Sequence, residues 1–115
     1  MLAYAHRGVA ARGNGAIRIG GATVTNCDLW GAWVENEGSI EMAAGLTFSG
    51  NTVNVGSNGG RIDGKYAPHF GAPSAANSIV ANEGGYVDLV GATGSLTCSP
   101  AANTAGNANS YVRIA

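Results

Sequence analysis

The stretch VENEGSIEM at residues 34–42 decides the fold, because the chain repeats it as VANEGGYVDL at residues 80–89 and, more loosely, as VGSNGGRIDG at residues 55–64. Each copy runs through an Asn- and Gly-containing turn into a short segment in which a charged residue follows an apolar one. The chain holds five such triplets: Ile17-Arg18-Ile19, Ile40-Glu41-Met42, Ile62-Asp63-Gly64, Val87-Asp88-Leu89 and Val112-Arg113-Ile114. Their first residues are 23, 22, 25 and 25 positions apart, which indicates an internal repeat.

Two further strand positions accompany the triplets. One follows the triplet, as in Val24-Thr25-Asn26, Leu46-Thr47-Phe48 and Leu96-Thr97-Cys98. The other precedes the turn, as in Trp33-Val34-Glu35, Val53-Asn54-Val55 and Ile79-Val80-Ala81. Three short strands in a period of 22–25 residues predict an all-β chain, a parallel β-solenoid of about five coils. A β-sandwich is the alternative, but its hairpins would not produce a constant coil period.

Length and composition restrict the remaining possibilities. A chain of 115 residues predicts a single domain, 1–115, and its last residues, YVRIA, stop inside the fifth triplet, so we expect a fragment of a longer protein. Charged residues make up 11% and the net charge is −1, which argues against a nucleic-acid-binding surface. No apolar run is long enough to span a membrane, and the N-terminus lacks the apolar core of a signal peptide.

The repeated form V-x-N-E-G-(S/G)-x-(I/V)-(D/E) resembles the right-handed parallel β-helix of the pectate-lyase-like superfamily, over residues 13–115. Its Gly- and Asn-rich, weakly charged coils are most similar to bacteriophage tailspike and tail-fibre proteins. That resemblance implies a homotrimer in the virion, assembled in the host cytoplasm, that recognises and in some cases depolymerises bacterial surface polysaccharide. A bacterial surface adhesin or autotransporter passenger is an alternative with the same architecture.

The charged residues in the middle of the triplets form a predicted outward column, which places Glu41, Asp63 and Asp88 on neighbouring rungs. A rung spacing of ~4.8 Å is near the carboxyl separation of retaining glycosidases, and twice that spacing is near the separation of inverting ones. These three carboxylates are therefore candidate catalytic residues of a polysaccharide hydrolase or lyase. The alternative is a solvated face, because Arg18 and Arg113 end the column and can form ion pairs with it.

The segment KYAPHFGAPSAAN, residues 65–77, interrupts the repeat with two prolines. Because proline cannot donate to a central strand, we expect this segment to bulge out as a loop. On such a loop Lys65, Tyr66, His69 and Phe70 are candidate sugar-binding residues. A small satellite core formed by the same rings is the alternative.

Trp30 and Trp33 flank a glycine corner in DLWGAWVEN, residues 28–36, and are further candidates. Tryptophan at the surface serves either as a stacking platform for sugars or as a contact between protomers. The two histidines, His6 and His69, lack metal-ligand spacing, so neither a metal site nor a cofactor is predicted. Cys27 and Cys98 are expected to be free thiols, because three coils would separate them.

Overall fold

The computed structural model describes residues 7–114 of the 115-residue chain; the candidate His6 lies outside the described residues. Within them the backbone forms short β-strands and one 3₁₀ turn, Asn107–Asn109. The strands are β1 (Arg7–Arg12), β2 (Ala16–Ile19), β3 (Thr23–Thr25), β4 (Trp30–Glu35), β5 (Ser39–Met42), β6 (Thr47–Ser49), β7 (Val53–Asn58), β8 (Arg61–Asp63), β9 (His69–Phe70), β10 (Ile79–Asn82), β11 (Tyr86–Asp88), β12 (Thr93–Gly94), β13 (Cys98–Ser99) and β14 (Tyr111–Arg113).

These strands assemble into three parallel sheets that run the length of a solenoid. The first sheet has the order β1-β4-β7-β10-β13, the second β2-β5-β8-β11-β14 and the third β3-β6-β9-β12. Every third strand therefore pairs with its equivalent in the next coil, which gives about five coils. The predicted all-β parallel solenoid with three strands per coil is confirmed, whereas its handedness stays a prediction.

The second sheet has the register that the repeated triplets predict. Ile17 pairs with Ile40, Ile40 with Ile62, Ile62 with Val87 and Val87 with Val112. From Ile40 onward these side chains are at most 1% exposed, because successive strand residues point to opposite faces and the apolar one faces inward. The charged neighbour of each is thereby directed to solvent.

The core is one column of small and branched side chains with an aromatic pair inside it. Phe48 and Phe70 are each 1% exposed, and their ring centroids lie 4.9 Å apart. Because the coils must turn sharply around so narrow an interior, several corner residues adopt positive φ, as Asn36 does at 49°. Gly38 lies at the same corner, where a Cβ would overlap the backbone of Ala11.

The third sheet departs from the prediction in its register. Val24 pairs with Phe48 rather than with Leu46, a shift of two residues that keeps inward side chains inward. The predicted strand Leu96-Thr97-Cys98 is wrong: Thr93–Gly94 occupies the third sheet, and Cys98 pairs with Ile79 in the first. A tight turn causes this difference, because Ala92 N–H donates to the carbonyl of Leu89 and brings the chain into the third sheet early.

The segment 65–77 is also not the simple loop that its prolines predict. His69–Phe70 forms β9, which pairs with β6 on one side and β12 on the other. Pro68 and Pro73 lie on either side of this strand, so neither has to donate to the ladder. Both cysteines are free, as predicted, although Cys27 follows β3 and Cys98 lies in β13.

Candidate functional site

The outer face of the second sheet carries one charged side chain per coil. Parallel pairing places Arg18 beside Glu41, Glu41 beside Asp63, Asp63 beside Asp88 and Asp88 beside Arg113. We call this row the charge ladder. The structure therefore brings together the three carboxylates that the sequence singled out, on consecutive rungs with a spacing of ~4.8 Å.

Ion pairs hold two of these carboxylates. Glu41 Oε1 lies 3.4 Å from Arg18 Nε and 3.2 Å from Lys65 Nζ. Asp88 Oδ2 lies 3.4 Å from Arg113 Nη1. Asp63, between them, makes no ion pair with any described residue. The middle rung is thus the carboxylate with the most capacity to accept hydrogen bonds from a ligand.

Lys65 reaches the charge ladder from the chain segment beyond β8. A hydrogen bond from its ammonium to Glu41, and then the negative charge of that carboxylate, raise the pKa of Lys65 above its usual value. The ammonium also lies 5.4 Å from the centre of the Tyr66 ring, and Tyr66 is 46% exposed. Two residues of the interrupted segment therefore join the ladder at the rung of Glu41.

A second outward row, which we call the aromatic column, runs beside the charge ladder. Its members are the residues two positions before each charged one: Ala16, Ser39, Arg61, Tyr86 and Tyr111. The rings of Tyr86 and Tyr111 are nearly parallel, at 10°, with centroids 5.8 Å apart, and Arg61 Cζ lies 4.7 Å from the centre of Tyr86. Sequence reasoning missed this row, although counting two residues back from each charge would have found it.

A depression of ≈ 370 Å³ lies where the two rows meet in the first three coils. Its floor carries the small side chains of Ala16 and Ser39, and Arg61 closes one end, since the aromatic column changes there from small to large residues. The charged side chains around it are Arg18, Glu41, Arg61 and Asp63. The volume is near the lower end of the range for small-molecule sites.

The other predicted residues of the interrupted segment lie on the third sheet. Phe70 is in the core against Phe48 and presents no ring to solvent, because β9 turns it inward. His69 faces outward, and its Nδ1 lies 2.9 Å from Thr93 Oγ1. The structure therefore separates His69 and Phe70 from Lys65 and Tyr66, instead of joining the four in one loop.

Trp30 and Trp33 lie together on the first sheet. Their ring centroids are 4.4 Å apart, and Trp33 Nε1 donates a 2.9 Å hydrogen bond to Glu35 Oε1. They lie over Gly56 of the next coil, where a Cβ would come within 2.5 Å of the Trp30 ring. Both tryptophans are half-buried, so they form an outward pair on a sheet different from that of the charge ladder.

Within residues 7–114, no three His, Cys, Asp or Glu side chains are arranged to hold a metal ion. In the same part of the chain no helix is long and apolar enough to cross a membrane. Comparison with protein-family models, with curated proteins and with solved structures gives no match to this chain. The argument for function therefore depends on the geometry of the second sheet.

Proposed function

We propose that this chain is a β-helical segment of a phage tailspike or tail fibre that contacts bacterial surface polysaccharide through the outer face of its second sheet. One observation carries the proposal: hydrogen-bond donors, acceptors and aromatic rings lie in two parallel rows on one outer sheet face. A polysaccharide is itself a linear array of donors, acceptors and apolar ring faces. Such a polymer can use several rungs at once, and weak contacts then add along the chain.

The outer face of the second sheet is also pre-formed. Its side chains project from strands that pair on both sides in the middle coils, so binding a glycan requires little ordering of the backbone. The ion pairs of Glu41 and Asp88 hold these side chains in place. Charge-assisted hydrogen bonds from such side chains are about twice as strong as neutral ones.

A polysaccharide hydrolase or lyase that uses Glu41, Asp63 or Asp88 is the second candidate function. The rung spacing favours it, but two of the three carboxylates already have cationic partners at 3.2–3.4 Å. That charge balance is typical of a solvated face. We therefore assign the charge ladder to contact rather than to bond cleavage. A bacterial surface adhesin would use the same face for contact.

The experiment is a screen of the chain against an array of bacterial O-antigen and capsular polysaccharides. We expect retention of at least one of them, with loss of retention in Tyr86→Ala and Tyr111→Ala. Thr23→Ala, on the outer face of the third sheet, is the matched control and should bind like the wild type. A chain that retains none of these polysaccharides would contradict the proposal.

The same samples distinguish contact from catalysis. New reducing ends in the bound polymer indicate a hydrolase, and unsaturated products indicate a lyase. If cleavage occurs and stops in Asp63→Asn or Asp88→Asn with the fold intact, the enzyme reading replaces ours.

We further propose a homotrimer, in which Trp30 and Trp33 contact a neighbouring protomer. Light scattering on a sizing column should then give three times the chain mass of 11.4 kDa. Trp30→Ala combined with Trp33→Ala should convert that species to a monomer. A wild-type monomer would contradict the trimer and favour a single-chain adhesin.

A further inference from the structure

Arg61 and Asp63 differ from the other charged residues of the second sheet. They alternate on β8 and both face outward, yet neither forms an ion pair with a described residue. Arg61 instead lies over the Tyr86 ring at 4.7 Å. The centre of the second sheet therefore has one donor-rich and one acceptor side chain side by side, both with capacity to bind.

The depression described above lies directly beside this pair. Ala16 and Ser39 leave room in the first two coils that a larger residue would fill, and Arg61 stands at the end of that space. A ring placed on this floor would contact the Arg61 stem and have Asp63 at its edge. The depression thus combines a recessed floor with a donor and an acceptor.

We propose that this depression is a subsite for one neutral sugar unit, with Asp63 accepting hydrogen bonds from its hydroxyls and Arg61 donating to its oxygens; the inference rests on the proposed function. A hydroxyl both donates and accepts, so a pair of adjacent hydroxyls satisfies Asp63 and Arg61 together. The charged lining consists of two cations, Arg18 and Arg61, and two anions, Glu41 and Asp63, which balance. An anionic sugar would meet the two carboxylates and a cationic sugar the two guanidinium groups, so neither gains net attraction.

The experiment uses the same array, with its polysaccharides sorted into neutral, anionic and cationic classes. Asp63→Asn should weaken retention of neutral polysaccharides roughly tenfold or more, because a charge-assisted hydrogen bond becomes a neutral one. Asp88→Asn is the matched control, since its carboxylate belongs to the same ladder but already pairs with Arg113. We expect that control to stay within about twofold of the wild type.

A second variant tests the recess without removing a charge. Ser39→Leu fills the floor of the depression and should also weaken retention roughly tenfold, whereas Ser49→Leu makes the same change on the exposed third sheet and should have no effect. Thermal unfolding of all four variants checks that they are folded. High salt should leave neutral-glycan retention in place, because the contact needs no net charge.

The outcomes separate this inference from the proposed function. Neutral polysaccharides that bind the wild type and both controls, but not Asp63→Asn and Ser39→Leu, support the subsite. Retention confined to anionic or cationic polysaccharides, or unchanged in Asp63→Asn and Ser39→Leu, overturns the subsite and leaves the proposed function standing. Retention of no polysaccharide by the wild type overturns both.

Discussion

The second and third sheets are made by the same coils, yet they differ in regularity. The second has five strands in continuous register, and each presents a charged residue to solvent. The third has four strands, of which β9 and β12 are two residues long, and its outward side chains include Thr23, Thr47 and His69. Charge thus marks one face of the solenoid, and uncharged polar groups mark another.

This difference teaches what specifies register in a narrow solenoid. A slip of one residue in the second sheet would turn Asp63 or Asp88 into the core, at a high free-energy cost. The outward hydroxyls of the third sheet impose a smaller penalty, because a hydroxyl is less costly to bury than a charge. Its register instead depends on which inward side chains pack together, and Phe48 and Phe70 do so.

The largest test of this view removes that aromatic contact. Phe70→Ala should lower the free energy of unfolding by about 3–5 kcal/mol, because a buried ring leaves a cavity when it is truncated. His69→Ala, its outward neighbour on β9, is the control and should stay within about 0.5 kcal/mol of the wild type. Urea denaturation followed by circular dichroism measures both. If the two variants lose equal stability, the third sheet is not held by its core.

The sequence predicted the regular part of the fold because period-two alternation and a constant spacing are visible in the letters. The five triplets, and with them the neighbours of Glu41, Asp63 and Asp88, were placed in the observed register. The free thiols of Cys27 and Cys98 followed from the same coil count.

The irregular part could not be predicted, because its determinants are contacts between distant residues. Two prolines flank β9 in space but interrupt the pattern in sequence, so Phe70 was expected in a loop rather than in the core. Thr93 enters the third sheet through a backbone hydrogen bond to the carbonyl of Pro68, which no side-chain pattern records. Of the candidate site, the ladder was predicted; the depression and the aromatic column depend on which residue of one coil faces which of the next.

A buried hydrogen-bond network at the junction of the third and first sheets provides the next test. Asn51 is 1% exposed; its Oδ1 accepts from the Cys27 N–H at 2.9 Å, and its Nδ2 donates to the Val24 carbonyl at 3.0 Å. Asn51→Ala should cost about 1–3 kcal/mol for each of these buried hydrogen bonds that is lost. Equilibrium unfolding in urea gives the value.

Ser49→Ala is the control for this variant, since it removes an exposed hydroxyl bond from the same coil. We expect a change below about 0.5 kcal/mol there. An Asn51→Ala protein as stable as this control would show that the network only accompanies the corner. A clear loss would show that buried polar contacts, which the sequence does not reveal, help to fix the irregular sheets.

The charge ladder should contribute far less to stability than either buried feature. Arg113 and Asp88 pair at 3.4 Å, with side chains 53% and 18% exposed. A double-mutant cycle with Arg113→Ala and Asp88→Ala should give a coupling of about 0.2–1 kcal/mol that shrinks as salt is added. A coupling of several kcal/mol that is insensitive to salt would instead make the ladder a main source of stability. Small coupling leaves these charges available for contact, as the proposed function requires.

The smallest effect concerns the ion pair that ties the segment after β8 to the second sheet. Lys65 is the sole lysine of the chain, and its hydrogen bond to Glu41 and the charge of that carboxylate raise its pKa. A pKa raised in the folded state adds stability that is present at neutral pH and is lost as pH rises through the folded value, above about 10.4. Carbon NMR of the single lysine side chain, recorded as a function of pH, measures that pKa directly. Glu41→Gln should lower the pKa of Lys65 towards its ordinary value, whereas Asp88→Asn, two rungs away, should leave it in place. A Lys65 pKa that is the same in the wild type and in Glu41→Gln would mean that the segment is not tethered to the ladder in solution, and that Lys65 and Tyr66 are not held beside the face proposed for glycan contact.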